Sequence, residues 1–274
     1  MCGWLDPLRF AVCLAFLSIA SVHDVKTREV PNLIWVVFAP VGLALTLASL
    51  ALSGWSQTFM LTWLITAAIT AGLSTALFYL GLFGGADAKA LICLAISMPT
   101  HPSMAEIKPA LELPAYSALK LPPPISAFNN AVLMASLLAV VIAVRNLIDL
   151  AANGRRIFEG LEKERLITKA FALITGFRVD AEKIRSGKHH YILLEEFSRS
   201  ENGAIKRRLK VLQRLNMEEE SESGSNIPEE FNGKIWVTIG LPFLVFITVG
   251  FATAVLAGDI IFWLVEATIQ KTLT

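Results

Sequence analysis

Six apolar runs, at residues 8–22, 31–52, 58–82, 86–98, 128–147 and 235–257, constrain this chain more than any other feature. A helix that crosses the hydrocarbon layer needs roughly 20 mostly apolar residues. Its backbone polar groups must be satisfied within the segment, because lipid offers them no partner. With 54% hydrophobic residues against 17% charged and a mean hydropathy of +0.58, the 274 residues are too apolar for a soluble domain. The expected fold is an all-α polytopic membrane protein with six transmembrane helices and a small cytoplasmic α+β domain between the fifth and sixth. The fourth run is short, so its helix either starts nearer Gly84 or relies on a locally thin bilayer. In the third, the small residues of "ITAAITAGLSTA" allow close approach of a neighbouring helix.

Orientation follows from the cations. If the loops at 22–30 and 83–86 and the block 149–234 share one side, that side holds Lys26, Arg28, Lys89, Arg145 and 16 further Lys and Arg, of 24 in all. The other side has only Arg9, Lys108, Lys120 and Lys271. The positive-inside rule makes the first side cytoplasmic. The only cation near the start of the first run is Arg9, and Asp6 offsets it, which argues against a cleaved signal peptide. Within 151–234 the 16 cations are accompanied by 14 of the 23 acids, so the block is a solvated segment, and a net charge of +1 gives no reason to expect nucleic acid as a partner.

The chain thus divides into a membrane domain at 1–150 with helices 1 to 5, a cytoplasmic domain and linker at 151–234, and a sixth transmembrane helix with a C-terminal tail at 235–274. The proline-rich segment 99–124 reads as an external loop lying along the membrane surface. In the cytoplasmic block "GLEKERLITKAFALI" has the spacing of an amphipathic helix and "HHYILLEEF" that of a short strand. "MEEESESGSNIPEEFNG", 217–233, is polar and acidic and reads as a flexible linker. Cys2, Cys13 and Cys93 lack the spacing of a disulfide framework or zinc site, and the adjacent His189 and His190 point apart in any regular element.

Four aspartates fall at the ends of spans, where an ionisable group is expensive to desolvate and needs a partner or a task. Asp149 lies four residues after Arg145, which predicts an intrahelical ion pair. Asp259 follows Gly258 at the outer end of the last span and suits an interfacial position. Asp24 and Asp87 differ, because the first ends span one and the second begins span four, at the same depth on the same side. Two carboxylates near a low-dielectric boundary do not both ionise easily, so such a pair tends to hold one shared proton. One can then act as base toward water while the other polarises a carbonyl as acid. Beside Asp87, Gly84 and Gly85 leave room for a substrate backbone and allow unusual dihedrals. Taken by itself, the local motif is also an ordinary glycine turn with an acid at a helix start.

"SVHDVKTREVPN", 21–32, resembles the first-aspartate segment of type IV prepilin and archaeal preflagellin peptidases, and "GGADAKAL", 84–91, resembles their second, the Gly-x-Gly-Asp-x-Lys pattern of GxGD aspartyl proteases. The resemblance covers most of 8–147. It implies that Asp24 and Asp87 are the catalytic pair of an aspartic endopeptidase and that Gly84, Gly85 and Ala86 form the active-site loop, with Ala86 standing where the family has its second glycine. Arg28, Pro31, Asn32 and Lys89 match the pattern without an evident chemical role. The implied activity is removal of basic leader peptides from preflagellin or prepilin-like precursors at the cytoplasmic face of the membrane, with the lipid bilayer as the other partner and with no cofactor or metal. Because the paired-cysteine loop of the bacterial bifunctional members is missing, preflagellin is the expected substrate. A sister archaeal prepilin peptidase is the nearest alternative. From another class, the alternative is a proton-coupled transporter or channel that uses Asp24 and Asp87.

Overall fold

The computed structural model describes residues 4–102, 121–186, 191–199, 205–210 and 227–273. Most of the external loop, His189, His190, Cys2 and residues 217–226 of the acidic segment lie outside the described residues. By internal packing the chain forms two units, Met1–Ala135 with Pro242–Thr274, and Ser136–Leu241.

The first unit contains α1 (Leu5–Thr27), α2 (Asn32–Leu52), α3 (Gln57–Tyr79), α4 (Gly85–Ser97), the start of α5 (Pro123–Asn153), α8 (Phe243–Leu256) and α9 (Ile260–Leu273). Among the described residues α1, α2, α3 and α5 are long and apolar enough to cross a membrane. A fifth crossing results if α8 and α9, bent by 55°, are one span. α1 buries Leu5, Arg9, Cys13, Leu17, Ala20 and Ser21, a stripe three or four residues apart. By contrast α4 buries Ala88, Ala90, Leu91, Cys93, Leu94, Ala95 and Ser97 on every side, since α1, α2, α3 and α8 all pack on it. The close approach expected of α3 occurs through Thr66, Thr70 and Ser74, which are buried, while Gly72 faces open space.

Thirteen residues make α4 about 20 Å long, short against a hydrocarbon layer of about 30 Å. Its last residue, Ser97, and the next, Met98, are buried, so their carbonyls need partners from the protein. Arg9, only 2% exposed, donates to the Ser97 carbonyl through Nε at 2.9 Å and Nη2 at 2.7 Å. The Thr46 hydroxyl lies 2.7 Å from the Ile96 carbonyl and 3.1 Å from that of Ser97. A cation here also complements the negative end of the helix dipole.

α8 crosses α5 closely at Gly250, where a Cβ would stand 2.5 Å from the Ala127 carbonyl oxygen and 2.9 Å from the Ala131 nitrogen. Both neighbours are backbone and cannot rotate away. Gly250→Ala is expected to destabilise the protein by about 1–3 kcal/mol, read as a lower unfolding temperature of purified protein. An unchanged temperature would show that α5 and α8 separate without cost. Asp259 sits at the bend between α8 and α9, accepting from Asn129 Nδ2 at 2.8 Å and from the Phe262 N–H at 3.1 Å, so it caps α9.

The second unit contains the end of α5, a 3-10 turn at Gly154–Phe158, α6 (Leu166–Thr175), β1 (Phe177–Asp180), α7 (Ala181–Arg185), β2 (Tyr191–Leu193), β3 (Glu195–Arg199), β4 (Ile205–Leu209) and β5 (Lys234–Ile239). β5 lies between β1 and β2, antiparallel to both, and β3 pairs antiparallel with β4. Ile235, Trp236 and Val237 are consecutive and all buried, as in a strand covered on both faces. Glu195, 4% exposed, accepts from the Trp236 N–H at 2.7 Å and from Arg207 at 2.7 and 2.9 Å, so this buried carboxylate is paired and hydrogen-bonded.

Three expectations are corrected here. The last apolar run does not begin as a helix at Ile235. Its first residues are β5, and the helix starts at Phe243, after Pro242. Asp149 takes Arg178 of β1 as its ion-pair partner, at 2.5 Å, rather than Arg145. Residues 227–233 are no passive linker, because Ile227 is 5% exposed in the core and Arg185 donates to the carbonyls of Pro228 and Phe231 at 2.6 and 2.7 Å.

Candidate active site at the start of α4

α3 ends in a turn that the glycine at 81 makes possible. Gly81 has φ +70°, its N–H bonds to the Phe78 carbonyl, and the Leu82 N–H bonds to that of Leu77. This is the left-handed helix stop that favours glycine, because a Cβ is costly there. Gly84 and Gly85 are not needed for dihedral freedom, contrary to the sequence-based expectation. Gly84 has φ −70° and ψ 153°, ordinary extended backbone, and Gly85 is already helical. Gly84 instead makes room: a Cβ there would lie 3.1 Å from Asp87 Oδ2. At Gly85 a Cβ would meet Phe78 at 3.6 Å, an ordinary contact. Ala86 packs against the core of the first unit, so its methyl group fills space in the first turn of α4.

Asp87 is the third residue of α4, and its Oδ2 accepts from the Gly84 N–H at 3.1 Å. The carboxylate thus closes back on the helix start, where the dipole also favours a negative group. Asp24 lies in the last turn of α1, and its side chain accepts from the Leu244 N–H in the first turn of α8. Arg28 is close enough for its charge to act on Asp24, and the charge of Asp24 in turn acts on Asp87. Both aspartates are half-buried. Each of the two carboxylates singled out in the sequence thus stands at a helix end beside a backbone N–H, and the charge of one reaches the other.

Other residues of the two motifs gain structural roles. Arg28 stops α1 in the left-handed region, with φ 60° and its N–H on the Asp24 carbonyl at 3.2 Å. Pro31 is the residue just before α2, where its fixed φ suits the entry. Lys89 Nζ donates to Asn32 Oδ1 at 2.7 Å, tying the first turn of α2 to α4 two residues beyond Asp87. Lys89→Met is expected to slow turnover no more than about tenfold, the value of one exposed charge-assisted hydrogen bond. Asn32→Ala should match it, and the double variant should be no slower than either single one. Additive losses in that cycle would show that the two residues act separately.

Sequence reasoning missed Gly81, the Leu244 N–H and the Arg9 cluster. The cluster had a signal, since Arg9 is a cation inside an apolar run. A backbone N–H 220 residues from Asp24 has none.

The model of the type IV leader peptidase family matches residues 11–144, and that of the archaeal peptidase A24 C-terminus, type II, matches residues 168–260. A preflagellin peptidase of Methanococcus voltae is 30% identical over 145 residues, which are 51% of this chain and 58% of that protein. A preflagellin peptidase of Methanocaldococcus jannaschii is 26% identical over 178 residues, 58% of this chain and 72% of that protein. The match thus spans less than two thirds of the first relative. The first model takes in both aspartate motifs and the helices that carry them, and the chain belongs to the type IV leader peptidase family.

Proposed function

We propose that this chain is a membrane-embedded aspartic endopeptidase of the GxGD type that removes leader peptides from preflagellin precursors, with Asp24 and Asp87 as its catalytic pair. The observation that supports this reading is that the two carboxylates stand at the ends of α1 and α4, helices that pack on each other, close enough for the charge of one to act on the other. One carboxylate, ionised, takes a proton from a water molecule as that water attacks the scissile carbonyl. The other, protonated, donates to the carbonyl oxygen. As the tetrahedral intermediate collapses the C–N bond breaks, the proton taken from water passes to the leaving amine, and a hydroxyl proton returns to the second carboxylate. Gly84 and Gly85 leave the loop beside Asp87 without side chains, so an extended substrate segment can lie along it.

In this reading the chain crosses the membrane six times, α4 being a short crossing and α8 with α9 a bent one. The catalytic pair then faces the cytoplasm, on the side where the cations concentrate. A precursor with a basic leader ahead of an apolar helix would present its cleavage point at this depth. The preflagellin peptidases that the chain resembles support the choice of substrate. Purified full-length protein incubated with preflagellin precursor should release the leader and the shortened product. Proton flux into vesicles without any cleavage would replace this reading with that of a transporter.

A further inference from the structure

α6 is amphipathic in a way that water does not explain. Its residues Leu166, Ile167, Phe171 and Ile174 are 85, 65, 43 and 47% exposed and recur at helical spacing, with exposed Ala170 between them. The opposite side, with Ala172 and Leu173, packs into the second unit. The outer face is thus a continuous apolar stripe, unlike the scattered hydrophobic residues that soluble surfaces tolerate.

The position of this helix identifies what covers it. Asn146 of α5 donates through Nδ2 to the carbonyls of Leu173 and Gly176, at 2.7 and 2.6 Å, so the C-terminal end of α6 is fastened to α5. Asn146 adjoins Leu147 and Ile148, which are 53 and 66% exposed and continue the outward-facing Val140, Val141 and Val144 of this long apolar helix. The exposed apolar stripe of α6 is thus tied, at its C-terminal end, to the turn of α5 that carries the last exposed large apolar residues of that helix. The recess beside Asn146 is lined by Arg145, Arg156, Arg178 and Lys234 against the carboxylates Asp149 and Glu159, four cations to two anions. An apolar helix face beside excess positive charge matches the boundary between acyl chains and anionic headgroups.

We propose that α6 lies in the anionic lipid leaflet at which α5 ends, its exposed face against acyl chains and the neighbouring cations against headgroup phosphates. This inference uses no residue of the catalytic pair, so it stands or falls separately from the peptidase reading. It is tested in the full chain with Cys2→Ser, because Cys13 and Cys93 are buried. Phe171→Cys or Ile174→Cys is labelled with an environment-sensitive fluorophore, and the protein is reconstituted in vesicles of phosphatidylcholine and phosphatidylglycerol. The fluorophore is expected to emit as in an apolar medium and to be quenched several-fold by lipids brominated in the acyl chain. Ile167→Glu should remove most of that quenching at Ile174→Cys. Replacing phosphatidylglycerol with phosphatidylcholine should reduce it, and equal quenching in both lipids would overturn the role given to the cations. Water-like emission without quenching overturns the proposal. So does an apolar signal that appears only with added precursor or only as protein density rises, which would assign the face to substrate or to a second copy.

Discussion

Asp24→Asn and Asp87→Asn are each expected to lower precursor cleavage by about 10²–10⁴-fold, while the protein remains inserted and folded. Asparagine has nearly the shape of aspartate and keeps an acceptor oxygen. Position 87 can still accept from the Gly84 N–H, and position 24 from that of Leu244. What is lost is the exchangeable proton and the charge. Near a helix start the charge is worth only about 0.3–1 kcal/mol, too little to unfold the protein. The double variant should be no slower than the slower single one, because removing either partner already disables the pair. Cleavage of purified precursor, with circular dichroism of each variant as the control for folding, provides the measurement. Full activity in either single variant would remove the pair from the mechanism.

The largest expected effect on stability belongs to Arg9. Arg9→Met keeps much of the apolar stem but leaves the Ser97 carbonyl without its guanidinium donor, and the Ser49 hydroxyl loses its contact at 3.2 Å. Asp6, 3.5 Å from Arg9 and with its side chain 16% exposed, is left without this cation. Breaking a buried charged network of this kind costs about 3–5 kcal/mol, and should lower the unfolding temperature of detergent-solubilised protein by roughly 10 °C. Asp6→Asn should cost less, since its contact is long and partly solvated. α4 is held at its far end by Arg9 and near Asp87 by Lys89 on Asn32, so loss of Arg9 is also expected to slow cleavage by loosening the helix that carries the carboxylate. An Arg9→Met variant as stable as the parent would show that water or another group serves the end of α4.

The parts legible in the sequence are those whose physics is local. Transfer of each apolar residue into lipid adds along a segment, and a helix satisfies its own backbone, so run length alone located α1, α2, α3 and α5. The short α4 was legible from its neighbours, since "GGADAKALICLAIS" has turn, charge and apolar residues in an order that suits a helix entering the membrane. The stripe of α6 followed from 3.6-residue spacing. The two aspartate motifs could be read as candidates, because a charge at the end of an apolar run demands an explanation whatever the fold.

Tertiary structure decided where several local solutions were equally good. The residues from Ile235 are apolar enough for either a strand or a helix, and periodicity does not separate the two in a short run. Pairing with β1 and β2 made them β5. Asp149 had a cation four residues away on its own helix, yet spacing only permits a contact, and the guanidinium of Arg178 reached it with the second unit folded. Which glycine mattered also depended on the turn, because only Gly81 takes a positive φ in the approach to α4. The sequence by itself thus determined that α1, α2, α3 and α5 are long and apolar enough to cross a membrane, and which carboxylates stand at the ends of α1 and α4. Only packing of α1, α4 and α8 against one another set Asp24 beside the Leu244 N–H and within reach of the charge of Asp87, because the approach of residues 63 positions apart is set by how whole helices bury their surfaces and leaves no local signal in the chain.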